Sequence, residues 1–69
     1  MKGTISKQQI GQRIAELRKK KKLSQEELAK KVDISRPSLT QIELGKRNID
    51  ILELQKFAMV LGFSLDEFM

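Results

Sequence analysis

The sequence predicts an all-α fold, a compact domain of five short helices within a single unit over residues 1–69. Four segments begin with a capping box, in which a short polar residue is followed three positions later by Glu or Gln. Apolar residues then recur at the three- and four-residue spacing of a helix. No run of β-branched residues alternates with polar ones, and no Asn-Gly or Asp-Gly pair marks a hairpin, so no sheet is predicted.

Two short helices joined by a tight turn are the most informative feature of the sequence. The cap at Ser24 predicts a helix over residues 25–32, and Ser35 can cap a second one over residues 36–44. A connection of about three residues makes the two helices cross steeply, so that the second projects while the first packs behind it. This is the helix-turn-helix arrangement, which we place at about residues 24–44.

The other helices flank this pair. The first is expected over residues 7–21, after a cap at Ser6. The C-terminal helices occupy about residues 50–69, where Asp50 opens a helix that Gly62 stops and Ser64 begins a terminal turn. The inward stripe of the longer C-terminal helix is expected to contain Ile51, Leu54, Phe57, Ala58 and Leu61.

Composition excludes several classes of protein. The chain has no Cys and no His, which removes disulfides, thiol or imidazole metal sites, and the commonest nucleophile and general base of enzymes. We therefore expect neither an enzyme nor a cofactor. The longest apolar run, residues 57–63, is far shorter than the roughly 20 residues of a membrane span. No segment resembles a signal peptide, so we expect a cytoplasmic protein without a membrane partner.

Charge is distributed unevenly along the chain. Residues 1–47 contain 13 of the 14 Lys and Arg but five of the nine acids, a net charge of +8, whereas residues 48–69 carry −3. The basic part is typical of a surface that binds a polyanion. Its densest run, residues 18–22, could instead complement the dipole at a helix C-terminus. The three Phe all lie in the acidic part, and Trp and Tyr are absent, which favours duplex DNA over stacked single strands.

Four motifs occur together in this sequence. Ser-Gln-x-x-Leu-Ala begins at Ser24, Ile-Ser at Ile34, Ile-Glu-x-Gly-Lys at Ile42 and Ala-x-x-Leu-Gly-x-Ser-x-Asp at Ala58. Their register over about residues 8–69 resembles the phage repressor/Cro-like (Xre-type) helix-turn-helix DNA-binding family. The resemblance implies a lambda-repressor-like domain whose third helix enters the major groove of duplex DNA. It also implies a dimeric repressor, a restriction-modification controller or an antitoxin.

The chain departs from the family pattern at four positions. Lys22 and Asp33 stand in turns where the family usually has Gly, and a left-handed backbone there would cost about 1 to 2 kcal/mol each, less for Asp. Leu44 replaces a polar residue that commonly touches phosphate. Pro37 stands in the first turn of the third helix and disfavours helical geometry in the preceding residue, so Arg36 could itself be the N-cap.

The resemblance implies which residues face DNA. The base-facing positions are Arg36, Pro37, Thr40 and Gln41. Arg can donate two hydrogen bonds to guanine, Gln can pair with adenine, and an apolar group can meet a thymine methyl. Phosphate contacts are expected from Ser24, Gln25, Ser38, Lys46, Arg47 and Asn48. The alternative is that these are ordinary solvated side chains, chiefly Thr40, Gln41, Lys46 and Arg47.

Arg18 and Glu43 are not expected to face DNA. At these positions the family typically has an ion pair that joins the first helix to the end of the third. We interpret the pair as structural.

Apolar residues outside the core stripe predict a homodimer. Leu52 and Met59 are seven positions apart and share a second stripe about 130° or more from the first. Leu65, Phe68 and Met69 follow on the terminal turn. Scattered surface hydrophobics are the alternative interpretation. Clustering in the acidic part favours an interface in which each surface meets its own copy.

These observations predict a sequence-specific transcriptional regulator, a homodimer on a near-palindromic operator in double-stranded DNA. The alternative is an antitoxin or another protein-binding module, with a toxin or other protein as its main partner. Both classes use this fold, so the fold alone does not choose between them.

Overall fold

The computed structural model of this chain describes residues 6–68, with side chains for residues 6–67. It forms four α-helices and one turn of 3-10 helix, which are α1 Lys7–Lys20, α2 Gln25–Lys31, α3 Arg36–Glu43, α4 Ile51–Leu61 and the terminal turn Leu65–Phe68. The predicted all-α class is confirmed over the described residues. No helix in this part of the chain is long and apolar enough to cross a membrane.

The prediction of five helices is wrong for the last element, which is a single 3-10 turn. The fourth predicted capping box, in which the side chains of Ser64 and Glu67 would cap a helix, does not form. The Ser64 hydroxyl accepts from the backbone N–H of Asp66 at 3.1 Å, and the Glu67 carboxylate accepts from Arg13 at 3.0 Å. The four-residue segment is therefore held by local turns and by α1.

Local caps set the helix starts as predicted. Ser6, Ser24 and Asp50 each form a complete capping box. The Ser35 hydroxyl accepts from the Ser38 backbone N–H at 3.2 Å, so Ser35 caps α3. The alternative that Arg36 is the N-cap is wrong, because Ser35 supplies the acceptor and Arg36 is already helical. Helices α1 to α3 each end one residue earlier than predicted, where the next residue is the C-cap.

Three left-handed residues reverse the chain after α1, α2 and α3. Lys22 has φ 59°, Asp33 has φ 62° and Gly45 has φ 77°. The two non-glycine residues adopt the conformation that the sequence suggested at these turns. Gly45 is also required by space, since a Cβ there would lie 2.7 Å from the Cγ of Gln8.

The core lies where the helices converge, with α3 packed on both α1 and α2 and α4 packed on α1. Its buried apolar residues are Ile14, Leu28, Ala29, Val32, Leu39, Ile42, Leu54, Phe57 and Leu61. Gly11 lets α1 approach the last turn of α3, because a Cβ there would collide with the carbonyl oxygen of Ile42. Sequence reasoning missed this contact.

Ile51 lies outside the core, although the sequence predicted it on the inward stripe of α4. It is 51% exposed, whereas Leu54 and Phe57 on the same stripe are 7% and 0% exposed. Ile51 is the first residue of α4, and the buried residues of this helix all lie on its later turns. The inward stripe therefore begins at Leu54.

Candidate nucleic-acid interface

A predicted ion pair fixes the end of α3. The Nε of Arg18 donates to one oxygen of Glu43 at 2.7 Å, and Nη2 donates to the other at 3.1 Å. The two side chains are only 12% and 7% exposed. The remaining Arg18 nitrogen, Nη1, donates to the carbonyl of Leu23 at 2.9 Å. One guanidinium thus joins α1, the turn before α2 and the last residue of α3, as expected of a structural pair.

Gln25 extends this network to the middle of α3. Its Nε2 donates to Glu43 Oε1 at 2.9 Å, and its Oε1 accepts from the Thr40 hydroxyl at 3.0 Å. The same hydroxyl lies 3.1 Å from the carbonyl oxygen of Arg36. Gln25 and Thr40, both predicted to contact DNA, are therefore held by the protein itself. Sequence reasoning missed these bonds.

The four predicted base-facing residues come together on one surface. Arg36, Pro37 and Gln41 are exposed, and Thr40 is half-buried. Together with Thr40 they line an open hollow of about 330 Å³ along α3. The opposite side of α3 carries the buried Leu39. The exposed face presents a guanidinium, an amide and apolar groups, the chemistry that reads base edges in a major groove.

Several candidates for phosphate contact have side chains that solvent can reach. Ser24, Lys46 and Asn48 are exposed, and Ser38 is half-buried. The ammonium group of Lys46 takes part in none of the ion pairs found among residues 6–68, so it is available to an anion. The Ser24 hydroxyl accepts from the Glu27 N–H at 3.0 Å and retains its own proton to donate. Their contacts with phosphate stay predictions.

Arg47 differs from Lys46 because it already has a carboxylate partner. Its Nη1 and Nη2 donate to the two oxygens of Glu53 at 3.1 and 2.8 Å. The hydrogen bonds from Arg47 lower the pKa of the Glu53 carboxyl, and those to Glu53 raise the pKa of Arg47. Glu53 also belongs to the cap of α4. Arg47 therefore secures the loop after α3 to α4, a role that sequence reasoning missed.

The apolar residues predicted for a dimer interface fall into two groups. Leu52 and Met59 on α4 are 66% and 85% exposed, whereas Leu65 is half-buried. The side chain of Phe68, and Met69 altogether, lie outside the described residues. The exposed stripe on α4 is thus the part of the prediction that the structure displays.

An α3 that packs on α2 and exposes a guanidinium and an amide on its outer face is typical of a helix-turn-helix DNA-binding domain. Comparison with known proteins agrees. The helix-turn-helix family model HTH_3 matches residues 14–68. The chain therefore belongs to the HTH_3 (Xre-type) family of DNA-binding transcription regulators, which confirms the resemblance seen in its sequence.

Individual relatives cover most of the chain. The control protein C.MunI of Mycoplasma sp is 41% identical over 59 residues, which span 84% of this chain and 80% of that protein. The restriction-modification controller protein C.AhdI of Aeromonas hydrophila is 35% identical with a TM-score of 0.82, over 91% of each chain. The biofilm master regulator SinR, solved in complex with DNA, is 38% identical with a TM-score of 0.79, over 86% of this chain and 95% of its own.

Proposed function

We propose that this protein is a sequence-specific transcriptional regulator that binds double-stranded DNA as a homodimer. The observation that carries the proposal is the exposed face of α3, where Arg36, Pro37, Thr40 and Gln41 line one surface. Internal hydrogen bonds hold Thr40 and the end of this helix, so α3 is fixed in place before DNA binds. Lys46 and other polar residues at its edges then contact phosphates and fix the register.

The homodimer is supported by the exposed stripe on α4. Leu52 and Met59 occupy positions where an exposed helix face usually carries charge, and both are more than half exposed. In our proposal, residues 1–69 form one domain whose C-terminal part, α4 and the turn after it at about residues 50–69, meets its copy across a two-fold axis. Two recognition helices would then lie about 34 Å apart, and the operator would be a near-palindrome with half-site centres about 10 base pairs apart.

The relatives favour a regulator over the antitoxin alternative. C.MunI is a control protein, C.AhdI is a restriction-modification controller, and SinR was solved with DNA. Each of these is similar to this chain over at least four fifths of its length. They support a regulator of transcription whose main partner is duplex DNA.

Selection of binding sites from random duplexes tests the proposal. The wild-type protein should enrich one two-fold symmetric consensus with half-sites about one helical turn apart. A double variant, Arg36→Ala with Gln41→Ala, serves as the matched control because it keeps the fold but lacks two base-reading groups. Failure of the wild type to enrich any sequence over this control would rule out sequence-specific binding. Enrichment of a single half-site would support sequence-specific binding but rule out the homodimer.

A further inference from the structure

Four consecutive lysines end α1 and begin the turn to α2, and the proposed function does not use them. Residues 19–22 are all exposed. None of their ammonium groups takes part in an ion pair among the described residues. Four adjacent positive charges repel one another unless an anion or solvent neutralises them. Their positions on the fold indicate which of them can contact DNA.

Lys19 and Lys20 lie on different sides of α1, as helical spacing shows. Lys19 follows Gln8 by eleven residues, which is about three turns, so the two share a face of α1. Gln8 packs against Gly45, directly before Lys46. Lys20 instead follows Arg13 by seven residues and shares the face on which Arg13 bonds to the terminal turn. Lys19 therefore lies on the side of the end of α3, and Lys20 on the side of the C-terminal turn.

Lys21 and Lys22 also lie at different places on the fold. The Cε of Lys21 lies 3.9 Å from the point that a Cβ on Gly62 would occupy, so this side chain extends over the end of α4. Lys22 directly precedes Leu23, whose carbonyl accepts from Arg18 at 2.9 Å. Because Arg18 is also bonded to Glu43, this turn is fastened to the end of α3. The backbone of Lys22 thus lies beside the end of α3, the side on which Lys19 also lies.

The backbone of Lys22 supplies an independent observation. Its φ of 59° is left-handed, a conformation that glycine adopts without steric cost and lysine does not. Strained residues of this kind are found where a side chain is needed for function. At this turn a glycine would satisfy the fold at a lower steric cost, so a lysine here supports a role for its side chain outside the fold.

The separation along α1 is large enough to span a DNA groove. Gln8, beside the loop that leads to Lys46, and Lys19 are separated by about 16 Å along the helix axis, at about 1.5 Å per residue. The major groove that α3 would enter is about 12 Å wide. With α3 in the groove, Lys46 and the pair Lys19 and Lys22 would lie against opposite walls, each formed by one phosphate backbone.

We infer that Lys19 and Lys22 form a second phosphate-binding site, which takes the DNA backbone just outside the base pairs that α3 reads. The inference rests on the proposed function and extends it to flanking DNA. Lys20 and Lys21 have the same charge but face away from the duplex. Only two of the four lysines therefore contact the DNA backbone, and the run does not act as a diffuse positive patch.

Paired substitutions test this inference, because the run contains its own control. The variant Lys19→Gln with Lys22→Gln and the variant Lys20→Gln with Lys21→Gln lose the same charge. Binding of each to the selected duplex, extended by eight base pairs of random sequence at both ends, is measured over a range of salt concentrations. The first variant should lower the log-log salt slope by about 2 per bound protomer, since each phosphate contact contributes about 0.9. The second should change the slope by less than about 0.5 per protomer.

Duplex length gives a readout that a general charge effect would not move. Removing the extensions should weaken the wild type and the Lys20/Lys21 variant roughly tenfold, and leave the Lys19/Lys22 variant nearly unchanged. Equal slope losses in the two variants, or no effect of length on the wild type, would overturn the inference while leaving the proposed function intact. A wild type that bound no duplex would instead refute the proposed function.

Lys22→Gly separates binding from folding. Glycine relieves the left-handed strain, so the melting temperature should rise by roughly 4 °C or more while affinity for the extended duplex falls. Loss of affinity in a more stable variant cannot come from unfolding. A stabilised variant with unchanged affinity and slope would remove Lys22 from the site.

Discussion

The hydroxyl of Thr40 donates a hydrogen bond to the side-chain oxygen of Gln25 across 3.0 Å, which ties α3 to the first residue of α2. Gln25 also bonds to the last residue of α3, because its amide nitrogen donates to Glu43 at 2.9 Å. Both ends of the Gln25 amide are thereby oriented. Two residues that we expect at the DNA surface are ordered by the protein before any ligand arrives, which lowers the entropic cost of binding.

Thr40→Val tests this restraint. Valine keeps the shape and the methyl group but has no hydroxyl, so Gln25 loses the bond that orients its oxygen. Stability should fall by about 1 kcal/mol, the usual net contribution of one hydrogen bond. Affinity for the selected duplex should fall more than affinity for a scrambled one. Chemical denaturation and fluorescence anisotropy measure the two effects.

A double-mutant cycle with Gln25→Ala provides the control for that prediction. If the two side chains act as a unit, their effects on stability should be non-additive by roughly 0.5 kcal/mol or more. Strictly additive effects would mean that the Thr40–Gln25 bond does not restrain α3.

Glu43→Ala should destabilise the fold by about 3 to 5 kcal/mol, because it leaves the largely buried Arg18 guanidinium without its carboxylate. A domain of this length has a total stability of roughly 3 to 10 kcal/mol, so much of the chain would unfold at 37 °C. The exposed Glu16→Ala is the control, with an expected change below about 1 kcal/mol. Thermal and urea unfolding measure both. A loss under 1 kcal/mol for Glu43→Ala would show that the pair is not structural.

Much of the fold could be predicted because its signals are local. Ser24 and Asp50 lie within three residues of the groups that they cap, so a short pattern is enough to place a helix start. The left-handed turns at Lys22 and Asp33 were indicated by the family resemblance, because the family usually has Gly at both positions. The ion pair of Arg18 and Glu43 spans 25 positions, and only the family resemblance indicated it.

The features that were missed depend on how helices meet. The bonds of Gln25 require three elements to be placed correctly, and the pair of Arg13 and Glu67 joins residues 54 positions apart. Periodicity says which residues share a face of α4 but not where the face stops being covered, which is why Ile51 was misplaced. Gly11 did carry a signal, since glycine inside a helix is costly and marks a close approach of another backbone.

Lys46 and Arg47 should differ in their contribution to DNA binding, although they are adjacent and carry the same charge. Lys46→Ala should weaken specific and non-specific duplexes alike and lower the log-log salt slope by about 1 per protomer. Arg47→Ala should lower the slope by less, because its guanidinium is engaged by Glu53. It should instead reduce thermal stability. Identical slopes for the two variants would show that DNA displaces Glu53 from Arg47.

Leu52→Glu combined with Met59→Glu should yield a folded monomer that binds DNA weakly. Two carboxylates on the exposed stripe of α4 would be desolvated and would face their copies across the two-fold axis. Sedimentation at tens of micromolar measures the oligomeric state, and circular dichroism confirms the fold. Lys7→Gln with Gln12→Glu is a control, since it makes the same change in charge at exposed polar positions of α1, away from this stripe. A wild type that is monomeric, or a variant that stays dimeric, would exclude this interface.

Base reading by the exposed face of α3 is tested by one ratio of affinities. The ratio compares the selected duplex with a scrambled duplex of the same length and composition, for the wild type and for Arg36→Ala and Gln41→Ala. We expect a wild-type ratio on the order of 10³ or more. Each substitution should cost roughly 1 to 3 kcal/mol per half-site on the selected duplex and far less on the scrambled one. A wild-type ratio near 1, or equal losses on both duplexes, would contradict base reading by this face of α3.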